Sequence, residues 1–275
     1  MEETFRNNGH EFVDRIEDAT CVLWDLHVRH TDYNWGDIQR LAKSDTKVAV
    51  WDEWDRGSLS KDIFPAPLTT QQFYLWGEIK GRAIYFCRLL DKTHELPEKL
   101  FPYEKPIFYE EPPLNKDDLF NRRYDVIFIA NSAPSREAIG KALKDDKRLK
   151  CHVALGEQKI PFNIFVDWHK RGKLFISSSA GGFTDERVQC LFSIAGIIRQ
   201  RTNQLVKDDF THLENCLRID SPPTKKDLDD IYEIVNNKDR LYEIYMNGYN
   251  FVKEHYSEQY FAQYYLDTMK KEGII

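Results

Sequence analysis

Two glycines and an arginine stand where a short apolar strand passes into a helix. The run 174–176 (LFI) is typical of a buried strand, and apolar residues at helical spacing begin at Val188, after Gly181 and Gly182. Backbone N–H groups at a helix start are unpaired and favour an anion such as a phosphate. The glycines leave room for a ligand, and Arg187 adds a guanidinium. The segment predicts an anion-binding site, with an ordinary strand-to-helix turn as the alternative.

Carboxylates follow two predicted strands near the N-terminus. The run 20–24 (TCVLW) leads to Asp25, the run 47–51 (KVAVW) leads to Asp52, and a helical pattern separates them. This order predicts a βαβ unit, in which ligands bind beyond the carboxyl ends of the strands. We therefore expect Asp25 and Asp52 to lie where chemistry takes place.

A stretch rich in proline and aromatic residues, 97–113, divides the α/β pattern into two series. We expect residues 1–110 to form one Rossmann-like domain and residues 111–256 a second one. The aromatic helical stripe of residues 257–275 predicts a packing face, and this last helix is expected to return to the first domain. The fold class predicted is therefore α/β, with two domains facing a cleft and C-terminal helices packing across both.

Composition and charge exclude several classes of protein. The chain has 275 residues, is 41% hydrophobic and has a net charge of −6, which disfavours nucleic acid as a partner. Its 5 cysteines include no C-x-x-C pair, so no zinc site or disulfide framework is indicated. No run approaches the roughly 20 apolar residues that span a bilayer, and the N-terminus lacks a signal-peptide core. We expect no stable membrane insertion and a cytoplasmic location.

The order of these elements resembles that of the GT-B glycosyltransferases. The likeness rests on the two α/β halves, the proline-rich connection, the glycine turn and the helical ending 247–271. More narrowly, the stretch 122–139 (RRYDVIFIANSAPSREAI) and the segment around Arg187 are similar to the exostosin-like glycosyltransferases. That family includes small soluble xylosyltransferases encoded by chlorella viruses. The resemblance is best over residues 124–266.

The resemblance implies an inverting transfer of a sugar from a nucleotide sugar to an acceptor. The second domain would bind the donor, expected to be a UDP-sugar and, by resemblance alone, UDP-xylose. The first domain would bind a glycan acceptor. Many members hold the donor ribose with an acidic residue after the glycine turn, where this chain has Gln189 and Cys190, with Glu186 one turn earlier. A viral origin would place the protein in the host cytoplasm.

An inverting transfer needs a general base for the acceptor hydroxyl, and we assign this role to Asp52. Capping of its loop or pairing with Arg56 is the alternative for this side chain. The alternative bases, which are also expected acceptor contacts, are Asp25 and Asp55. Two indoles near the base, those of Trp51 and Trp54, could stack on a sugar or pack in a core. The imidazoles that could orient an acceptor are those of His27 and His30.

The departing diphosphate needs positive charge or N–H dipoles, for which we choose Arg136 and Arg187. Each lies just inside a helix that follows a strand of the second domain, so both are expected to point toward one crevice. A guanidinium binds a diphosphate through paired hydrogen bonds. Further hydroxyl or backbone contacts are expected from Ser132, Gly181 and Gly182. The alternative for the arginines is a surface salt bridge with Glu137 or Asp185.

No metal or cofactor is required by this scheme, since arginines and a helix N-terminus replace the metal. Two rival interpretations stay open. Glu53 and Asp55 form an acid-x-acid triplet of the kind that a metal-dependent GT-A glycosyltransferase uses to hold manganese. The other rival is a glycan- or nucleotide-binding module that keeps the fold without turnover.

Overall fold

The computed structural model describes residues 2–25, 35–52, 78–87, 90–91, 100–102, 110–156, 160–178, 191–202, 204–205 and 207–275. The chain divides into two compact units. Unit 1 comprises Met1–Glu104, Asn203–Lys207 and Glu258–Ile275, and unit 2 comprises Lys105–Thr202 and Asp208–Ser257. Each unit is built on a parallel β-sheet, so the predicted α/β class is confirmed.

The strands, in chain order, are β1 (Cys21–Asp25), β2 (Lys47–Asp52), β3 (Ala83–Cys87), β4 (Leu90–Asp91), β5 (Leu100–Pro102), β6 (Tyr124–Ala130), β7 (Cys151–Leu155), β8 (Gly172–Ser177), β9 (Gly196–Gln200), β10 (Gln204–Leu205) and β11 (Leu217–Ile219). The α-helices are α1 (Glu2–Asn7), α2 (Trp35–Lys43), α3 (Lys116–Phe120), α4 (Pro134–Asp145), α5 (Phe162–His169), α6 (Lys225–Asn236), α7 (Lys238–His255) and α8 (Glu258–Lys271).

Unit 1 contains a four-stranded sheet in the order β1-β2-β3-β5, and all of its neighbouring strands run parallel. Val48, Ala49 and Val50 of β2 are all fully buried, as expected of a parallel strand covered on both faces. Helix α8 lies in the same unit, and the ring of its buried Tyr265 lies 4.8 Å from the ring of Phe86 on β3. The aromatic stripe of α8 is therefore a packing face, as predicted.

Unit 2 contains a five-stranded parallel sheet in the order β11-β9-β8-β6-β7. If the five strands are numbered by their order in the chain, their order across the sheet, read from β7, is 2-1-3-4-5. The chain therefore adds β7 on one side of β6, and β8, β9 and β11 on the other. All six residues of β8 are buried. The core of the unit combines β6 and β8 with α4, α6 and α7; its members include Phe128, Ile139, Leu174, Ile231 and Ile244.

Two short helices were not predicted. Helix α3 is capped by Asn115, whose side chain accepts a hydrogen bond from the backbone N–H of Asp118 at 2.8 Å, and the helix buries only Leu119. A single buried residue gives no helical periodicity, so the sequence carries no pattern to find. The second is α1, which is followed only by a turn of 3-10 helix at Ile16–Asp18 before β1 begins.

Candidate functional site

The carboxyl ends of β6 and β8 form the topological switch point of unit 2. These two strands are direct neighbours, and Val126 and Ile127 of β6 are in register with Leu174 and Phe175 of β8. Because the chain leaves the two strands toward opposite sides of the sheet, a crevice opens beyond their carboxyl ends. Open α/β sheets bind their ligands at this position, so the side chains that follow both strands are the candidate ligand contacts.

Arg136, predicted to bind a ligand, lies at this switch point in the first turn of α4. Its Nε donates to the hydroxyl of Ser178 at 3.2 Å, and its Nη2 donates to the backbone carbonyl of Ser178 at 3.2 Å. Its Nη1 donates to the backbone carbonyl of Asn131 at 3.2 Å. These three hydrogen bonds fix the guanidinium between the exits of β6 and β8.

The N-terminus of α4 provides a second favourable feature for an anion. The helix starts at Pro134 after Ala133, a residue that makes no side-chain cap. Proline suits this first position because it lacks the N–H that would be unpaired there. Ser132 is exposed, and its hydroxyl donates to the carboxylate of Glu137. The predicted Ser132 is therefore next to Arg136, with its hydroxyl directed toward the first turn of the helix.

Sequence reasoning missed Asn131 and Ser178 as the residues that hold Arg136. Ser177 and Ser178 are buried, with only 1% and 4% of their surface exposed. Buried hydroxyls need hydrogen-bond partners, so a serine run directly after an apolar strand was a usable signal. The partners themselves could not be predicted, because they depend on β6 and β8 being neighbours in the sheet.

A network of hydrogen bonds braces the adjoining edge of the site. The Ser221 hydroxyl donates to the backbone carbonyl of Ser135 at 2.8 Å, which ties the loop before α6 to the first turn of α4. Arg201, which follows β9, donates to buried Asp227 in the first turn of α6 at 2.8 Å, and the backbone N–H of Thr224 donates to that carboxylate at 2.8 Å. Burial alone would raise the Asp227 pKa, but these hydrogen bonds outweigh burial and lower it.

In unit 1, the structure places Asp25 and Asp52 at one edge of the sheet. They are the last residues of the parallel neighbours β1 and β2. Asp25 is in register with Trp51, so Asp52 lies one residue further along the adjacent strand. This is the carboxyl edge, where ligands of α/β units bind.

The other predicted site residues lie outside the described part of the chain. They are His27, His30, Glu53, Trp54, Asp55, Gly181, Gly182, Glu186 and Arg187. Their proposed roles remain predictions from the sequence.

Metal ligands and reactive thiols are not apparent in the described segments. Within them, no group of three or more His, Cys, Asp or Glu side chains could hold a metal ion. Burial raises the pKa values of the Cys21, Cys151 and Cys216 thiols to about 12. These thiols are therefore protonated at neutral pH and are poor nucleophiles. None of the helices described above has the length and apolarity needed to cross a bilayer.

Comparisons with known proteins identify the fold. No protein-family model matches the chain, and no curated protein matches it in sequence. The crystal structure of TarM matches with a TM-score of 0.56 at 12% identity, over 91% of this chain and 55% of that one. A point mutant of S. aureus TarM, in complex with fondaparinux, alpha-GlcNAc-glycerol and UDP, matches with a TM-score of 0.50 at 11% identity, over 86% and 54% of the two chains.

A third match is the C-terminal domain of a group 1 family glycosyl transferase, LpcC from Francisella tularensis. It aligns with a TM-score of 0.40 at 12% identity, over 55% of this chain and 97% of that domain. This chain spans only 55% and 54% of the two TarM structures. At such low identity the TarM likeness shows the fold alone, which is an α/β fold of the GT-B type.

Proposed function

We propose that this protein is a glycosyltransferase that moves a sugar from a nucleotide sugar to a glycan acceptor. The observation that carries the proposal is the position of Arg136, held by Ser178 and Asn131 at the switch point of unit 2. A positive charge fixed at this point of an α/β sheet suits a nucleotide diphosphate. A TarM structure of the same fold contains UDP and alpha-GlcNAc-glycerol, which supports the same ligand classes here.

The proposed donor is a UDP-sugar bound by unit 2. Negative charge grows on the diphosphate as its bond to the sugar breaks, and a guanidinium held in advance stabilises that charge without reorganising. Arg136 and the N-terminus of α4 would provide this stabilisation, assisted by Arg187 and by backbone N–H groups at Gly181 and Gly182. Ser132 would contact the diphosphate, and Glu186 is the proposed partner of the ribose.

The proposed acceptor site is the carboxyl edge of the unit 1 sheet. The acceptor hydroxyl oxygen would form a bond to the anomeric carbon while the bond from that carbon to the diphosphate oxygen breaks. The hydroxyl proton would pass to the carboxylate of Asp52, and the electron pair of the broken bond would leave with UDP. A single displacement inverts the anomeric configuration. Asp25, Trp54 and Asp55 are the proposed acceptor contacts.

Several finer proposals rest on the resemblance noted in the sequence. They are independence from a metal ion, xylose as the transferred sugar, an exostosin-like and viral relationship, and a cytoplasmic location. The division into a donor-binding unit 2 and an acceptor-binding unit 1 belongs to the same set.

Turnover of nucleotide sugars tests the proposed function. The protein is incubated with a panel of UDP-sugars and oligosaccharide acceptors, and released UDP is measured. We expect acceptor-dependent release from at least one UDP-sugar, and loss of that release in Arg136→Ala. Arg148→Ala is the matched control, because Arg148 is an arginine of the same unit bound to Asp146 and Asp229. Binding of UDP without turnover on any acceptor would instead favour a non-catalytic binding module.

A further inference from the structure

Five side chains form a continuous strip at the edge of the unit 2 sheet that ends in β7. The Arg123 guanidinium lies 5.1 Å from the Tyr124 ring centre, and that ring lies 5.5 Å from the ring of His152 on β7. The His152 ring stacks on the Trp168 indole at 4.2 Å with an interplanar angle of 7°. The Arg171 guanidinium lies 4.5 Å from the Trp168 ring centre. We name these residues the basic aromatic strip.

The two arginines of the strip differ from five other cations that lie over aromatic rings in the described segments. Arg148, which lies 5.0 Å from the Tyr232 ring centre, also binds Asp146 and Asp229. Four more cations over rings likewise have carboxylate partners: Arg6 over Phe12, Lys116 over Tyr242, Lys173 over Phe120 and Arg199 over Phe210. Within the described segments, Arg123 and Arg171 have no carboxylate partner.

The acidic side chains near the strip leave this charge uncompensated. Asp125 follows Tyr124 in β6, but its carboxylate binds Lys173 at 2.9 Å. Asp167 is one helical turn before Arg171, a spacing that often gives an ion pair, yet no ion pair joins these two residues. Arg123 and Arg171 are both exposed. The strip therefore presents two accessible guanidinium groups on a protein whose net charge is −6.

The environment of His152 also indicates that positive charge dominates the strip. Burial lowers its pKa, and the positive charges of Arg171, Arg123 and Lys144 lower it further. The charges that act on this imidazole are thus all positive. A ring in such a surrounding stays neutral at neutral pH and serves as a stacking surface.

The strip is far from the proposed donor site. Tyr124 is the first residue of β6, whereas Arg136 lies beyond Ala130, its last residue. At about 3.3 Å per residue, the two ends of this strand are ~20 Å apart. A small substrate held by Arg136 therefore cannot touch the strip, and only an extended polymer could engage both.

We propose that the basic aromatic strip binds an acidic glycan, meaning a polysaccharide that bears sulfate, phosphate or carboxylate groups. The exposed guanidinium groups of Arg123 and Arg171 suit paired hydrogen bonds to such oxyanions. The half-buried rings between them offer apolar edges to the sugar units. This proposal rests on the proposed function, since it makes the glycan acceptor an extended acidic chain anchored away from the reacting sugar. A glycan is proposed rather than a nucleic acid because the proposed function already calls for a glycan acceptor.

Titration calorimetry with a heparin-derived hexasaccharide at low salt tests the proposal. We expect binding by the whole protein, weakened about tenfold or more in Arg171→Ala and in the double variant Arg123→Ala/Arg171→Ala. Arg148→Ala removes the same single charge from a carboxylate-bound arginine, so it should change the affinity less than about twofold. Arg171→Lys keeps the charge but loses the planar fork, and we expect intermediate affinity. Trp168→Ala should also weaken binding.

Three outcomes would overturn the proposal. They are equal losses of affinity in Arg148→Ala and Arg171→Ala, equal binding of an uncharged dextran hexasaccharide, and tighter binding of a single-stranded thymidine oligonucleotide than of the hexasaccharide. The last outcome would identify a nucleic-acid surface. The thermal shift caused by UDP, measured on the same variants, separates this proposal from the proposed function. If a variant loses hexasaccharide binding while its UDP thermal shift is unchanged, the change affects the basic aromatic strip and leaves the proposed donor site intact.

Discussion

Arg136 donates hydrogen bonds to both the hydroxyl and the backbone carbonyl of Ser178, the residue that follows β8. These contacts connect the first turn of α4 to the exit of a neighbouring strand, across the switch point of the unit 2 sheet. The guanidinium is thereby held in one place before any ligand arrives. Such preorganisation is what makes electrostatic stabilisation of a leaving group effective.

Asp52→Asn should abolish sugar transfer while leaving UDP binding intact. The amide keeps the size of the side chain but cannot accept the proton of the acceptor hydroxyl. Loss of a general base typically lowers the rate by about 10²–10⁴-fold. The rate is measured as acceptor-dependent release of UDP, and UDP binding is measured by thermal shift. Transfer that survives in Asp52→Asn and stops in Asp25→Asn would reassign the base to Asp25.

Chelation of divalent cations should leave the transfer rate unchanged within about twofold. In the proposed mechanism, positive side chains and helix dipoles stabilise the diphosphate in place of a metal ion. The measurement is the initial rate with and without EDTA. Strict loss of activity in EDTA that manganese restores would contradict the proposal and favour a metal site built on Glu53 and Asp55.

Gly248→Ala should destabilise unit 2, although alanine is the better helix former. Helix propensity alone favours alanine by about 1 kcal/mol in the interior of α7. A Cβ at this position, however, would lie 2.6 Å from the backbone oxygen of Asn215. A backbone atom cannot move aside as the end of a flexible side chain can, so we expect a net loss of about 1–3 kcal/mol in the free energy of unfolding. Chemical denaturation measures this loss.

Gly156→Ala is the matched control for this change. A Cβ at Gly156 would have no heavy atom within 4 Å, so we expect a change of less than about 0.5 kcal/mol. Equal stability of the two variants would mean that α7 does not pack against Asn215 as closely as the structure indicates.

Acidification should weaken the fold as the pH drops below about 6.5, through His212. The backbone N–H of Arg218 donates to Nδ1 of His212 at 2.9 Å, so this nitrogen must be unprotonated. Burial and the charge of Arg201 lower the His212 pKa from its ordinary value. The unfolded chain therefore binds a proton more readily than the folded one, and stability falls as pH falls from the unfolded pKa through the folded pKa.

The melting temperature measured between pH 7.5 and pH 5 checks this expectation. His212→Gln should flatten the decline, because glutamine does not titrate in this range. The same slope in wild type and variant would show that other groups cause the acid sensitivity.

Strongly patterned elements can be predicted from the sequence, and weakly patterned ones cannot. The apolar run Tyr124–Ala130 forms β6, and Lys225–Asn236, which follows two prolines, forms α6. Thr224 makes a capping box at the start of α6, so the local sequence fixes where that helix begins. By contrast, β5 lies within the proline-rich stretch predicted to be a connection, because three residues are too few to show a pattern.

The site could be predicted only as far as it depends on local sequence. The loop after β6 and the proline at the start of α4 indicated where Arg136 would lie. Its partner Ser178 is distant in the sequence, and the contact exists because β8 pairs with β6 rather than with β7. Strand order is set by how whole helices pack on the sheet, which no local pattern records. The charge of the basic aromatic strip was missed for the same reason.

Calorimetric titration of the protein with UDP tests the central claim most directly. We predict that wild type binds UDP and that Arg136→Ala weakens this binding about tenfold or more, because a charge-assisted hydrogen bond contributes about 1.5–3 kcal/mol. Arg148→Ala should bind UDP as wild type does. UDP binding that is unchanged in Arg136→Ala would contradict the claim that the switch point of unit 2 holds the nucleotide diphosphate.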